Sequence, residues 1–443
     1  MSIKVFNSLT NKKEEFVPLR PNSVSIYICG PTVYNDPHLG NFRPPVVFDL
    51  LRRLFIYEGY EVDFVSNFTD VDDKIIKKAL EEKKTEKEIT DYYINEFKNV
   101  LSSLNVLPAT ANPRVTETMS EIIDYIDNLV KTGHAYVKGN DVYFRVNSVS
   151  NYGILSNIKL EDLRAGARIE ENELKENPFD FTLWKKTNEG ITWDSPWGKG
   201  RPGWHTECCV MINTRFGNII DIHGGGFDLK FPHHENEIAQ SEATANTTLA
   251  RYWMHNGFLN VNNEKMSKSL GNFITGKAFI KEHGGLFTRY VLLSTYYRAP
   301  INLNDEFLAT CKVEIDKIGK AINDLAKELQ VKKIFNELGK EEISEFISCL
   351  EDDLNISNAL SVIFKMCKDI NLALRNKSTK NEELLNLYAS LSLMLEILGL
   401  KFDIITLSVD DLSLLEAYNK AKESKDFALS DCLRAKAIER KLL

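Results

Sequence analysis

No run of eighteen apolar residues occurs anywhere in this 443-residue chain, which excludes a helix that spans a membrane. The opening residues, Met-Ser-Ile-Lys-Val-Phe, lack the apolar core of a secretory leader. Cysteine is scarce, 7 residues at irregular spacing. That argues against a disulfide framework and for a reducing, cytoplasmic setting. Positive charge is in deficit: 55 Lys and Arg against 63 Asp and Glu, a net charge of −8. Indiscriminate nucleic-acid binding runs on phosphate neutralisation, and this deficit argues against it; a nucleic-acid partner would need a local basic face. Internal repeats are absent, and only the Lys/Glu-rich patch 81–88 is of low complexity. Neither tryptophan nor histidine occurs after His283. What is there fits an ordinary globular protein, 43% hydrophobic and 27% charged, long enough for two or three domains.

The chain is organised around residues 25–49. Ile26, Tyr27 and Ile28 form a short run of strand-forming residues, punctuated by Gly30 and Pro31. An amphipathic segment begins near Asn41 and carries Val46, Val47, Leu50, Leu51 and Leu54. This reads as strand, loop and helix, with His38-Leu39-Gly40-Asn41 at the helix start. Free N–H groups and the positive dipole end suit a phosphate there, and Gly40 lets a flat base lie against the backbone. Alone, such a tetrad also reads as an ordinary turn. A second stretch, Lys265-Met266-Ser267-Lys268-Ser269, follows a strand-like run at 258–261. Two lysines flanking serines on a loop suit a clamp for a polyphosphate.

Strands are expected at 3–6, 16–19, 62–68 and 219–222, helices at 74–104 and 117–131, and a hairpin through Lys138-Gly139-Asn140. Alternating strands and helices indicate a parallel α/β sheet, whose ligands bind beyond the C-terminal strand ends. Cys29 and Thr69 fall there. Gly224, Gly225 and Gly226 read as a loop open to a ligand, with Asp228 placed to accept from a ribose. After Asp305 the pattern turns wholly helical, which reads as a separate bundle, and 352–360 as a capped helix start. His233 and Glu237 are four apart after Pro232 and share a helix face. With Cys29 and Cys208 they make a zinc-type donor set of thiolates, imidazole and carboxylate. The same residues also read as buried small hydrophobes and a surface His/Glu pair.

Four stretches carry a resemblance: Cys-Gly-Pro-Thr-Val-Tyr (29–34), Pro-Gly-Trp-His-Thr-Glu-Cys (202–208), Asp-Ile-His-Gly-Gly-Gly (221–226) and Phe-Pro-His-His-Glu-Asn-Glu-Ile-Ala-Gln (231–240). With the tetrad and the lysine pentapeptide, they resemble the cysteinyl-tRNA synthetase family of class I aminoacyl-tRNA synthetases. The resemblance implies an α/β, Rossmann-like parallel-sheet catalytic domain with an inserted connective segment, followed by an all-α helical bundle. It implies the boundaries 1–118 and 203–270 for the two catalytic halves, 119–202 for the insertion, 271–304 for a stem-contact linker and 305–443 for a helical tRNA- and anticodon-binding domain. The implied reaction charges tRNA(Cys) with L-cysteine at the expense of ATP with Mg2+, without a membrane. The implied catalytic residues are His38, Asn41, Lys265 and Lys268. The implied ATP site is His38, Gly40, Asn41, Gly226, Asp228 and Lys268. Thr69, Trp204 and His223 would line the cysteine pocket. Cys29, Cys208, His233 and Glu237 would hold one zinc ion that selects thiol over hydroxyl electronically, where shape alone discriminates poorly. Cys209 is extra beside its neighbour, and the alignment of Trp-His-Thr-Glu-Cys favours Cys208. His234 is expected behind the ligands or facing substrate.

Two features depart from the family pattern. Arg43-Pro44-Pro45 stands where Arg-Thr is common, so the helix is expected to start later or more tightly. The sequence stops at Lys441-Leu442-Leu443, short of the family's usual tail, so the anticodon is expected to be read differently. Lys312, Lys317, Lys320 and Lys327 could share a basic helix face, although Glu314, Asp316 and Asp324 are interleaved. A chain cut at Asp305 is expected to keep amino-acid activation and lose charging. The competing functions are a cysteine-activating amine ligase of thiol biosynthesis, which needs no long helical domain, and a non-catalytic tRNA-binding paralogue, against which Cys29, Lys268 and Glu237 argue.

Overall fold

The structure is a computed structural model and describes residues 2–158, 175–266, 271–440 and 442. The chain opens with an antiparallel pair, β1 (Lys4–Asn7) and β2 (Lys12–Glu15). The strand expected at 16–19 does not form. Pro18 lacks an N–H, the Val17 N–H goes to the Tyr252 hydroxyl (2.9 Å), and the Leu19 N–H goes to Asp221 (2.6 Å). β3 (Ser23–Ile28) then runs into a tight 3-10 turn, Leu39–Phe42, and α1 (Arg43–Tyr57). The two prolines fall in the first turn of α1, where a missing N–H costs nothing. The helix therefore starts two residues after Asn41, through a tighter turn.

β4 (Glu61–Ser66) pairs parallel to β3. The single helix expected at 74–104 is two, α2 (Asp73–Glu82) and α3 (Glu86–Ser103). Lys83 turns left-handed, and Thr85 with Glu88 forms a reciprocal capping box on α3. After α4 (Met119–Lys131), the strands β5 (Ala135–Lys138), β6 (Asp141–Phe144), β7 (Phe181–Lys186) and β8 (Gly200–Pro202) form an antiparallel sheet in that order. Then come α5 (Trp204–Phe216), β9 (Ile220–Gly226), α6 (Glu235–Ala245) and β10 (Ala250–Asn256).

The central sheet has the order β10-β9-β3-β4, with every pair parallel. β9 and β10 are buried along nearly their whole length, whereas β3 and β4 mix polar with apolar residues and bury mainly their C-terminal halves. Strand order reverses at β3, which has β4 on one side and β9 on the other, the place where open parallel sheets bind ligands. The glycines 224–226 end β9 and are not a loop. A Cβ on Gly224 would stand 2.0 Å from Phe48 Cζ of α1, so the missing side chain is what lets helix and strand pack at this distance. Asp221 fixes the register below them, accepting from the Ser25 N–H (2.9 Å) and hydroxyl (2.6 Å).

The chain divides into two compact units: Met1–Asp305 with Leu350–Ile356, and Glu306–Cys349 with Ser357–Leu443. The segment 350–356 therefore belongs to the sheet-bearing unit, and the helix start expected within 352–360 falls at Ile356, the first residue of the helix Ile356–Arg375. Asp353 is fully buried and gives its carboxylate to the Phe6 N–H (2.7 Å) and the hydroxyls of Tyr297 (2.8 Å) and Tyr296. The second unit is helical. In its helix Asp305–Val331, Lys312 pairs with Asp316 and Lys320 and Lys327 with Asp324, so the lysine row is largely neutralised by its own helix. Among the described residues no helix is long and apolar enough to cross a membrane.

Candidate active site and metal centre

Two groups of side chains meet at the C-terminal edge of the central sheet. One is a cluster of metal-type donors. Cys29 follows β3, Cys208 sits on α5, and His233 and Glu237 flank the start of α6. One donor atom from each lies within 4.8 Å of the others. The sulfurs of Cys29 and Cys208 are 3.7 Å apart, and Cys208 Sγ is 3.8 Å from His233 Nε2. Glu237 is fully buried, with one oxygen 2.9 Å from His233 Nε2 and the other 2.7 Å from His223 Nε2. A second set, Cys29, His223, His234 and Glu237, is equally tight.

The electrostatics follow from this packing. Burial works against the Glu237 charge, but His223 and His233 outweigh it and hold the carboxylate well below its ordinary range. The hydrogen bond from Cys29 brings Cys208 down to about 6 against the effect of burial. Burial, with Cys208 and Glu237 alongside, pushes Cys29 well up. Burial lowers His233, yet Glu237 and Cys208 prevail and carry it to about 10. Burial keeps His205 and His255 near 3, and therefore neutral.

Four partners, His205, Glu207, His255 and Ser8, were not read from the sequence, whereas His234 was expected behind the ligands or facing substrate. His205 Nδ1 lies 3.0 Å from His233 Nδ1. His234 Nε2 is 3.3 Å from Cys29 Sγ, and its Nδ1 joins His255 and then Ser8 through two contacts of 2.9 Å. Glu207 is buried and accepts from Thr69 (3.3 Å). The Trp-His-Thr-Glu-Cys stretch carried a signal for His205 and Glu207; nothing local marked Ser8. Cys209, one residue on, faces away and approaches the carbonyls of His205 and Glu237 at 3.7 and 3.6 Å.

The other group lines a cleft of about 230 Å³ that begins at Cys29. His38, Gly40, Asn41, Trp204, Gly226, Asp228 and Met266 all face it. The His38 ring folds over Gly40, where a Cβ would meet Nδ1 at 3.0 Å. The tetrad is tied to the segment after the lysine pentapeptide: Leu39 N–H donates to Ile274 O (2.9 Å) and Gly276 N–H to Pro37 O (3.1 Å). Trp204 stacks on His233 with ring centroids 4.1 Å apart and so joins the two groups. Thr69 and His223 are buried behind the metal-type cluster and do not line the cleft. Lys268 and the side chain of Lys265 lie outside the described residues.

A parallel sheet with a switch point, an anion-suited turn at one end of the cleft and a donor cluster at the other define a class I aminoacyl-tRNA synthetase. The family model for the class I (C) catalytic domain of tRNA synthetases matches residues 15–313, and the DALR domain matches 345–403. Cysteine–tRNA ligase of Halalkalibacterium halodurans is 47% identical over 98% of this chain and 95% of its own length. The Shouchella clausii ligase is 46% identical over 98% and 95%. The chain belongs to the cysteine–tRNA ligase family. Its fold is also that of Mycobacterium tuberculosis methionyl-tRNA synthetase in complex with methionyl-adenylate (TM-score 0.62, 15% identity, 85% of this chain and 89% of that one).

Proposed function

We propose that the donor cluster holds one zinc ion and that the chain uses it to choose L-cysteine for tRNA(Cys). The observation that carries this is the Cys29–Cys208 separation of 3.7 Å. Two thiolates on a tetrahedral zinc at ~2.3 Å stand ~3.8 Å apart. Cys29, Cys208, His233 and Glu237 fit that ion better than the second set, because they bring two sulfurs and leave His223 to orient Glu237. His205 likewise fixes the His233 ring from behind, and such partners hold ligands in register. Zinc, when bound, supplies a Lewis acid with a preference for thiolate over hydroxyl.

The chain's own residues do the rest. Trp204 covers His233 and forms a wall beside the cysteine side chain. Gly226 and Asp228 take the nucleoside. His38, Gly40 and Asn41 present the turn at the start of α1 to the phosphates, and Lys265 and Lys268 supply positive charge as pyrophosphate leaves. ATP enters with Mg2+. Cysteine's carboxylate attacks the α-phosphate, and a terminal ribose hydroxyl of tRNA(Cys) then takes the cysteinyl group. Positioning and charge stabilisation are the catalytic contributions. The segments 1–118 and 203–270 form the catalytic core around the insertion 119–202, the linker 271–304 faces the acceptor stem, and the helical unit, Glu306–Cys349 with Ser357–Leu443, receives the rest of the tRNA. The setting is the cytoplasm.

Elemental analysis combined with cysteine-dependent pyrophosphate exchange and transfer to tRNA(Cys) tests the proposal. One zinc per chain and loss of cysteine-dependent exchange on chelation are expected. Full exchange by protein free of zinc would refute it.

A further inference from the structure

Arg43 opens α1 two residues after the tetrad, and its side chain is wholly buried. Nη1 donates to the carbonyls of Gly257 (2.7 Å) and Phe258 (2.9 Å), and Nη2 to that of Tyr296 (3.3 Å). Among the described residues no carboxylate pairs with it, and Nε is buried without a partner. A buried cation without a counter-charge is expensive. Burial alone brings this guanidinium down to about 10, so it stays charged at neutral pH.

The surroundings show what the cation is for. Pro44 and Pro45 beside it line the cleft, as do Gly257 and Phe258. The chain at Gly257 is pressed against 298–299, where a Cβ would meet backbone atoms at 2.6 Å. The carbonyls of 257, 258 and 296 therefore point toward one buried spot, and a planar fork of donors satisfies them where a single ammonium cannot. The guanidinium is fully buried and does not itself line the cleft; its unpaired charge stands behind the wall that Pro44, Pro45, Gly257 and Phe258 form.

We infer that Arg43 is a positioning residue for ATP: it clamps the Gly257–Phe258 rim to the His38–Asn41 turn, and its charge behind that rim adds a field that favours the triphosphate. This rests on the cleft being the nucleotide site. Loss of the clamp displaces the rim against the turn, which alters how ATP is held. The cysteine end, held by the donor cluster, keeps its geometry.

The test is steady-state, cysteine-dependent pyrophosphate exchange with zinc-replete, full-length protein. For Arg43→Gln, kcat/KM for ATP should fall about 10²-fold, the scale of an ångström-level misplacement. KM for cysteine should stay within about twofold, because that interaction is not removed. Arg43→Lys keeps the charge and part of the hydrogen bonding, so it should fall between Arg43→Gln and wild type for ATP. Equal losses toward ATP and cysteine would overturn the inference, as would wild-type ATP parameters in both variants. Should Arg43→Gln fail to fold by circular dichroism and zinc content, Arg43→Lys decides by the same comparison. A wild-type protein without exchange activity would instead count against the nucleotide reading itself.

Discussion

Neighbouring residues on an α-helix point about 100° apart, and at Cys208 and Cys209 that single step separates a donor from a packing residue. Cys208 reaches toward Cys29 and His233, whereas Cys209 is buried against two backbone carbonyls. Cys208→Ser should therefore abolish zinc binding, and Cys209→Ser should leave it intact; zinc content of the purified variants checks this, and the reverse pattern would contradict it. Protonation gives a second prediction. Near neutral pH the metal-free site carries one proton on Cys29, pushed up, and one on His233, carried to about 10. Cys208 and Glu237 are already ionised. Metal ligands bind deprotonated, so zinc uptake should release about two protons and weaken as pH falls. Titration calorimetry in buffers of different ionisation enthalpy measures the count, and zero would refute it. The donor types were legible in the sequence because few residues can ligate a metal. Their supports were not: the roles of His255 and Ser8 exist only once β10 lies beside the N-terminal segment.

Element by element, legibility followed how local each cause is. The start of α1 could be anticipated, because Pro44 and Pro45 restrict the backbone wherever they stand. The break between α2 and α3 carried a signal too, the Thr85-x-x-Glu88 capping box, obscured by the Lys/Glu-rich run. Both orphan donors it satisfies are exposed, so Thr85→Ala should cost about 1 kcal/mol locally. Amide exchange in the first turn of α3 should quicken roughly fivefold with pyrophosphate exchange unchanged; unaltered protection there would show the cap to be idle. The strand wrongly expected at 16–19 failed for a distant reason: Tyr252 and Asp221 claim its N–H groups from elsewhere in the fold.

Across the whole molecule, a domain boundary read from composition misses a return of the chain. Asp353 has no local signal, since the Phe6 N–H it accepts from is 347 positions away in sequence. A chain ended at Asp305 loses this carboxylate and leaves buried donors unsatisfied, at about 1–3 kcal/mol each. The fragment should melt lower and lose exchange activity, contrary to the expectation from sequence. Thermal melting with the exchange assay decides it: a fragment as stable and active as the full chain would contradict the structure's division. The contact of Gly224 with Phe48 has its own consequence at this scale. The strand that leads to the donor cluster and the helix that begins after the His38–Asn41 turn meet where the ring of Phe48 lies on Gly224, with no side chain on the strand between them. That ring works as a spacer of fixed thickness, setting how far apart the donor cluster and the turn are held. Any larger residue at 224 would reset the gauge for both ends of the cleft at once.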